Sequence, residues 1–278
     1  LNASICVAAI MACKITGIQS LGVMTDMPGL MVRFEREQRL PWRTRIATGI
    51  IKWCLNNFKK YVFLTEAMNV VNERKRPYIV MEGMSDRFMA TYKRPFEAKD
   101  IKVVMYAGGL HERYGLKKLT EAFMMLPQEN FRLKLFGSGP FVEKLKTKYT
   151  KKDSRIQYMG VAPNAEVVAA ELDASLLVNP RPTHEEFTKY SFPSKNIEYM
   201  ASGTPLLTTK LPGMPKEYYP YVFLIENESV EGYAKALESV LAQSDEELYV
   251  FGEKAKDFVL EKKNSFEQAK RVIELIKL

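Results

Sequence analysis

Apolar positions recur along the chain with two periods, and the alternation between those periods is its clearest pattern. Short runs rich in Val, Leu, Ile, Phe and Tyr predict strands at Ile18–Met24, Tyr61–Leu64, Tyr78–Glu82, Lys102–Ala107, Phe131–Phe136, Ile156–Met159, Ala174–Asn179, Pro205–Thr209 and Tyr221–Ile225. Apolar residues at three- and four-residue spacing predict helices between them: Arg43–Asn57, a short one at Glu66–Asn72, Leu116–Met125, Phe141–Thr147 and Asn164–Glu171. Three more helices are predicted near the C-terminus, at Glu231–Ala242, Glu246–Glu261 and Phe266–Ile276. Strand and helix in turn mean an α/β fold, a parallel sheet with helices on both faces. Ligands of such sheets sit at the carboxyl ends of the strands. The opening Ser4–Ile15 (SICVAAIMACKI) has no basic segment before it and runs into further periodic sequence, so it is read as a buried helix, not a signal peptide. The polar, proline-containing stretch Ser85–Lys99 is the best linker candidate.

Tyr190–Thr209 (YSFPSKNIEYMASGTPLLTT) is the stretch with the most chemistry. Ser191 is a good N-cap, Pro193 fits the first turn and Gly203 follows the last periodic residue as a C-cap does, so a helix of about three turns is expected. Pro193, Ile197, Met200 and Ala201 form its apolar stripe, while Ser191, Ser194 and Glu198 recur on another. The helix start offers backbone N–H groups and a dipole to a phosphate. Glu198, about 10 Å beyond Ser191 at ~1.5 Å per residue, could accept hydrogen bonds from two ribose hydroxyls. The plainer reading is a capped helix in an α/β core. The pairs Gly108/Gly109 and Gly137/Gly139 each follow a predicted strand, where glycine permits a ligand to approach the backbone or simply makes a tight turn.

The segments YAGGLHERYGL (Tyr106–Leu116), LFGSGP (Leu135–Pro140) and FPSK followed by EYMASGTP occur in that order. Together they resemble the donor domain of the family-four retaining glycosyltransferases, whose GT-B fold has two Rossmann-like parallel-sheet lobes. The resemblance runs from about Tyr61 to the C-terminus and is dense over Lys102–Leu224. It implies a partial N-terminal, acceptor-side lobe with linker over residues 1–96, a donor-binding lobe over 97–264, and a C-terminal helix over 265–278 that packs back on the first lobe. Since the chain starts at Leu1 and residues 1–96 are few for a whole lobe, the front of the N-terminal lobe is expected to be missing. The resemblance further implies that Gly108, Gly109, Gly137, Gly139, Ser191, Ser194, Lys195 and Glu198 bind the donor nucleotide and diphosphate, with Met159 near the base and Tyr190 and Phe192 near the donor sugar. The chain departs from the family pattern at Gly109 and Tyr114, where many members carry an Arg and a Lys, and at Tyr190, where many carry a Glu. Arg113, Lys117 and Lys195 are then the nearest cations for the diphosphate, although Arg113 and Lys117 also suit a plain helix start. Glu185 and Glu186 could stand in for the absent Glu, or be solvated loop acids. No catalytic residue is assigned.

Composition narrows the partners. With 41 Lys and Arg against 33 Asp and Glu, the net charge of +8 favours an anionic partner. The basic residues are dispersed and no RNA-binding signature occurs, which excludes nucleic acid as the leading choice. Arg39–Leu64 interleaves Arg39, Arg43, Arg45, Lys52, Lys59 and Lys60 with Trp42, Trp53 and Phe58, a pattern of peripheral contact with anionic lipid or of a core helix with a basic face. No run of 18 apolar residues exists. Cys6, Cys13 and Cys54 in apolar contexts suggest core thiols and a cytoplasmic protein, at most peripheral on the inner face of a membrane. With His111 and His184 the only histidines, no metal and no cofactor are expected. The resemblance implies metal-independent transfer, with retention, from a nucleoside-diphosphate sugar, UDP-linked, to a glycan or lipid-linked hydroxyl acceptor in surface polysaccharide or glycoconjugate synthesis. A non-catalytic nucleotide-sugar-binding subunit and a GT-B nucleotide-sugar epimerase are the alternatives.

Overall fold

The structure, a computed structural model, describes residues 3–27, 42–94 and 96–278, leaving out the side chains of residues 43–45 and 48. In chain order its elements are α1 (Ala3–Thr16), β1 (Leu21–Met24), α2 (Trp42–Leu55), β2 (Lys60–Phe63), β3 (Tyr78–Val80), β4 (Lys102–Ala107), α3 (Leu116–Met124), β5 (Phe131–Phe136), α4 (Phe141–Lys144), β6 (Ile156–Gly160), α5 (Asn164–Asp173), β7 (Leu176–Asn179), α6 (Ser194–Ser202), β8 (Leu206–Thr209), β9 (Phe223–Ile225), α7 (Val230–Leu241), α8 (Asp245–Lys262) and α9 (Ser265–Lys277). Short 3-10 helices at Glu66–Val71, Arg87–Thr91 and Glu112–Tyr114 connect several of them.

The chain divides into two compact units. Residues 1–83, 185–192 and 266–278 form the first, and 84–184 with 193–265 form the second. The first unit holds a parallel sheet in the order β1-β2-β3, with Val23 opposite Val62 and Val62 opposite Ile79. Its core gathers Cys6, Ile10, Met24, Cys54, Phe58, Tyr61, Phe63 and Met68. Cys6, Cys13 and Cys54 are free thiols. The last helix is tied to this sheet through the Lys60 ammonium, which donates to the Ile276 carbonyl, and through Arg271, which donates to the Val80 carbonyl.

The opening helix departs from the expected burial: in α1 only Cys6 and Ile10 are buried, while Ile5, Met11 and Ile15 are exposed. Its apolar residues lie all round the helix, so sequence alone could not distinguish an enclosed helix from a half-covered one. Ser85–Lys99 likewise is more than a linker. The Ser85 hydroxyl is buried and donates to the Val259 carbonyl, and the buried Arg94 guanidinium donates to the carbonyls of Gly203 and Ala174.

The second unit is a six-stranded parallel sheet in the order β6-β5-β4-β7-β8-β9. Its central strands β7 and β8 are buried throughout, as parallel strands covered on both faces must be. Helix α8 starts with a reciprocal cap, in which Ser244 and Glu247 satisfy each other's backbone N–H, and α7 starts with Ser229 accepting from Gly232 N–H. Gly203 ends α6 in the left-handed conformation, φ 79°.

The turns after β4 and β5 are stitched to each other. Gly108 N–H donates to the Phe136 carbonyl at 3.1 Å, Leu110 N–H to Ser138 at 2.8 Å, and Phe141 N–H to Leu110 at 3.0 Å. A Cβ on Gly137, whose φ is +123°, would come within 1.9 Å of the Gly108 carbonyl oxygen. At this position glycine is required by one loop crossing another, which is a sufficient reason for it without any ligand.

Candidate functional site

From β4 the sheet extends one way through β5 to β6 and the other way through β7 and β8 to β9, so the topological switch point lies between β4 and β7. There β4 pairs with β7 only at Val104 and Met105, whereas its pairing with β5 continues to Ala107. Beyond Met105 the two strands therefore part at their carboxyl ends. The N–H and C=O of Ala107 would lose their partners at this opening. Tyr199 of α6 supplies them: its hydroxyl accepts from Ala107 N–H at 2.7 Å and donates to the Ala107 carbonyl at 3.0 Å. On the other side of the opening the buried Asn179, last residue of β7, donates to the buried Asn196 of α6. Two buried polar side chains on one helix thus tie it to both lips of the switch point.

The same helix carries Ser194, Lys195 and Glu198. It begins at Ser194 with Pro193 before it, so Ser191 is not its N-cap; the Ser191 hydroxyl is buried and finds no hydrogen-bond partner among the described residues. Pro193 keeps an extended backbone, φ −70° and ψ 111°, and this delays the helix start past the position where a serine cap was expected. Glu198 is consequently about 6 Å along the axis from the helix start at ~1.5 Å per residue, nearer than the sequence suggested. Its carboxylate accepts from the Lys195 ammonium at 2.7 Å, and both groups are about one-third exposed (30% and 33%).

Behind this pair lies Glu171 of α5, a carboxyl that the sequence reading did not single out. It is fully buried, its two oxygens have no hydrogen-bond partner among the described residues, and the Lys195 ammonium stands 3.6 Å away. Burial, reinforced by the charge of Glu198 and opposed by Lys195, pushes the Glu171 carboxyl up to about 7. Nothing in the sequence marks it, because one acid near the end of an amphipathic helix looks like any solvated one.

The structure places Gly108 and Gly109 at the end of β4 and Gly137 and Gly139 at the end of β5, in the stitched turns described above. Arg113 is exposed before α3, its guanidinium 5.3 Å from the Tyr114 ring centre, and Lys117 is half-buried in the first turn of α3. Met159, near the end of β6, is exposed. Tyr190, Ser191 and Phe192 group with the first unit, where Tyr190 packs against the core that includes Met24 and Phe63. Among the described residues no group of three His, Cys, Asp or Glu side chains could hold a metal ion, and no helix is long and apolar enough to cross a membrane.

Residues 90–276 match the family model described as Glycosyl transferases group 1. The chain belongs to this family. Its fold is that of GT-B glycosyltransferases of known structure. Sucrose-phosphate synthase of Thermosynechococcus elongatus superposes with a TM-score of 0.68 at 18% identity, over 92% of this chain and 67% of that one. TarM of S. aureus gives 0.68 at 16% identity, over 94% of this chain and 50% of that one. HepE of Anabaena, solved in complex with UDP and glucose, gives 0.68 at 13% identity, over 99% of this chain and 76% of that one. This member of the family thus spans half the length of TarM. No curated protein sequence matches it significantly.

The buried acid of this group 1 glycosyltransferase has a consequence for stability. Because the neutral form of Glu171 is favoured in the folded state, the stability it contributes is complete below pH 4.5 and is lost as pH rises to about 7. Glu171→Gln, which mimics the neutral acid, is expected to remove that loss and to be more stable than wild type by roughly 1–3 kcal/mol above pH 7, with no gain near pH 4.5. Urea unfolding of both proteins across this range checks it, and parallel curves of stability against pH would refute it.

Proposed function

We propose that this chain carries the donor side of a retaining glycosyltransferase that moves a sugar from a nucleoside diphosphate, UDP-linked, to a hydroxyl acceptor, glycan or lipid-linked, in surface polysaccharide synthesis. The observation that carries this reading is the opening between β4 and β7, with α6 across it and Glu198 one turn into that helix. Strand carboxyl ends at a switch point are where α/β sheets take nucleotides. Family membership and the likeness to HepE, itself solved with UDP, support a nucleotide-sugar donor. Residues 1–96 would then belong to the acceptor-side lobe, 97–264 to the donor lobe, and 265–278 to a helix returning to the former.

In such a transfer the protein's main task is to stabilise the departing diphosphate. Backbone N–H groups at the start of α6 and nearby cations can do this without a metal ion. Glu198 meanwhile suits the ribose. A carboxylate offers two acceptor oxygens to two adjacent hydroxyls, and its present partner Lys195 is a flexible side chain that can yield one of them. Peripheral contact with anionic lipid fits the second helix. Trp42, Ile46, Ile50 and Trp53 fall on one face of α2 and are all solvent-exposed, although Arg39 and the side chains of Arg43 and Arg45 lie outside the described residues.

Three outcomes follow. Glu198→Ala is expected to weaken UDP binding roughly ten- to a hundredfold, the size of a lost hydrogen bond to a charged group, and Ser194→Ala to weaken it less. Calorimetric titration of UDP decides, and equal dissociation constants for wild type and Glu198→Ala would remove the ribose role. Sugar transfer by the full-length protein is expected to survive EDTA; activity abolished by chelation and restored by Mn²⁺ would contradict the metal-independent reading. The chain is expected to co-sediment with phosphatidylserine vesicles at low salt and to be released when Arg43, Arg45 and Lys52 are neutralised together, so binding indifferent to those changes would argue against a lipid surface.

A further inference from the structure

The diphosphate reading needs a cation at the opening, and the one nearest the helix start is already engaged. The Lys195 ammonium sits 2.7 Å from Glu198 and 3.6 Å from Glu171. Two further cations are also committed: Lys144 pairs with Glu112, and Lys118 donates to the Glu228 carbonyl. Arg181, two residues beyond β7, differs from all of these. Among the described residues its guanidinium makes no hydrogen bond and no ion pair; its contact is with a ring, the Tyr114 centroid lying 4.8 Å away. Arg113 approaches the same ring at 5.3 Å. Two like charges against one aromatic side chain, with no carboxylate joining them, create a positive potential that an anion would relieve.

The backbone that carries Arg181 is firmly held. The Tyr233 hydroxyl donates to the Pro180 carbonyl at 2.8 Å, and the Thr209 hydroxyl donates to the Arg181 carbonyl. The turn before α3 packs so closely on this loop that a Cβ on Gly115 would come within 1.8 Å of the Pro180 oxygen. The side chain thus projects from a loop anchored to β8, α7 and the start of α3, beside the opening between β4 and β7. Its charge also reaches the turn after β4. Tyr106, whose hydroxyl donates to the Gly109 carbonyl, is pushed up to about 12 by burial, with Arg181 pulling the other way.

We propose that Arg181, held over the Tyr114 ring just beyond the end of β7, is the cation that receives the diphosphate of the nucleotide donor, with Arg113 as its neighbour. The guanidinium's planar fork can donate two hydrogen bonds to phosphate oxygens, and a guanidinium already in contact with a ring has less freedom to lose on binding. This assignment rests on the nucleotide-sugar reading of the same opening.

The test is binding of UDP, by calorimetry, and of uridine, by saturation-transfer NMR, to the 278-residue chain and its Arg181→Gln and Arg181→Lys variants. Arg181→Gln is expected to weaken UDP roughly ten- to a hundredfold and to leave uridine unchanged, with Arg181→Lys in between, since it keeps the charge and loses the fork. A UDP affinity equal to wild type in Arg181→Gln overturns the proposal and leaves the nucleotide cleft standing. Parallel loss of UDP and uridine in both variants also overturns it, because the residue would then act only by shaping the loop. A wild-type chain that binds neither ligand overturns the nucleotide-sugar reading and this assignment together.

Discussion

The bond pair between the Tyr199 hydroxyl and the backbone of Ala107 is the constraint on which the site depends. A parallel sheet satisfies each strand's N–H and C=O by the next strand, and a switch point is where that supply ends. Here β7 stops pairing with β4 after Met105, and the orphaned groups of Ala107 would otherwise be buried without partners, a cost of about 1–3 kcal/mol for each. A fully buried tyrosine, its hydroxyl held well above the ordinary range chiefly by burial, closes the ladder from outside the sheet. The opening can therefore persist as a crevice without unravelling the strands beside it. Because the closing group belongs to α6, the helix that borders the crevice and the strand that opens it are positioned by one interaction.

Charge around α6 is arranged in depth. Glu171 lies fully buried, Lys195 above it and Glu198 beside Lys195, so a single ammonium faces two carboxyls. Such a cluster leaves Lys195 little positive charge to offer an incoming anion, but it gives Glu198 a partner that can be exchanged. Across the opening the balance is reversed. Arg181 and Arg113 meet the Tyr114 ring without an acid between them. The charges near α6 are thus balanced by acids, and those beside Tyr114 are not.

The glycines at the ends of β4 and β5 have a structural cause of their own. Gly137 lies where the Gly108 carbonyl leaves no room for a Cβ, and backbone bonds join the two turns residue by residue. Packing of these loops ties the ends of β4 and β5 to each other. Glycine at such positions is compatible with ligand approach without being proof of it.

The alternation of periods in the sequence determined the fold class and nearly every element, because burial on both faces of a parallel sheet demands continuous apolar strands and one-sided helices. The predicted β4 and β5 coincide with the observed strands, and Gly203 does end α6. Ordered local motifs, FPSK with EYMASGTP above all, pointed to the family. What lay beyond sequence is whatever depends on which distant groups meet. Ser191 has the residue type of a cap, yet the extended Pro193 moves the helix start away from it. Glu171 looks solvated until β4 and α6 pack against its helix and Lys195 lies over it, and Arg181 looks like a loop cation until the chain brings Tyr114 beneath it. Periodicity records which face of an element turns inward, but a charge's partner is decided by strand order and loop packing. Those arise only when residues far apart in the chain are brought side by side.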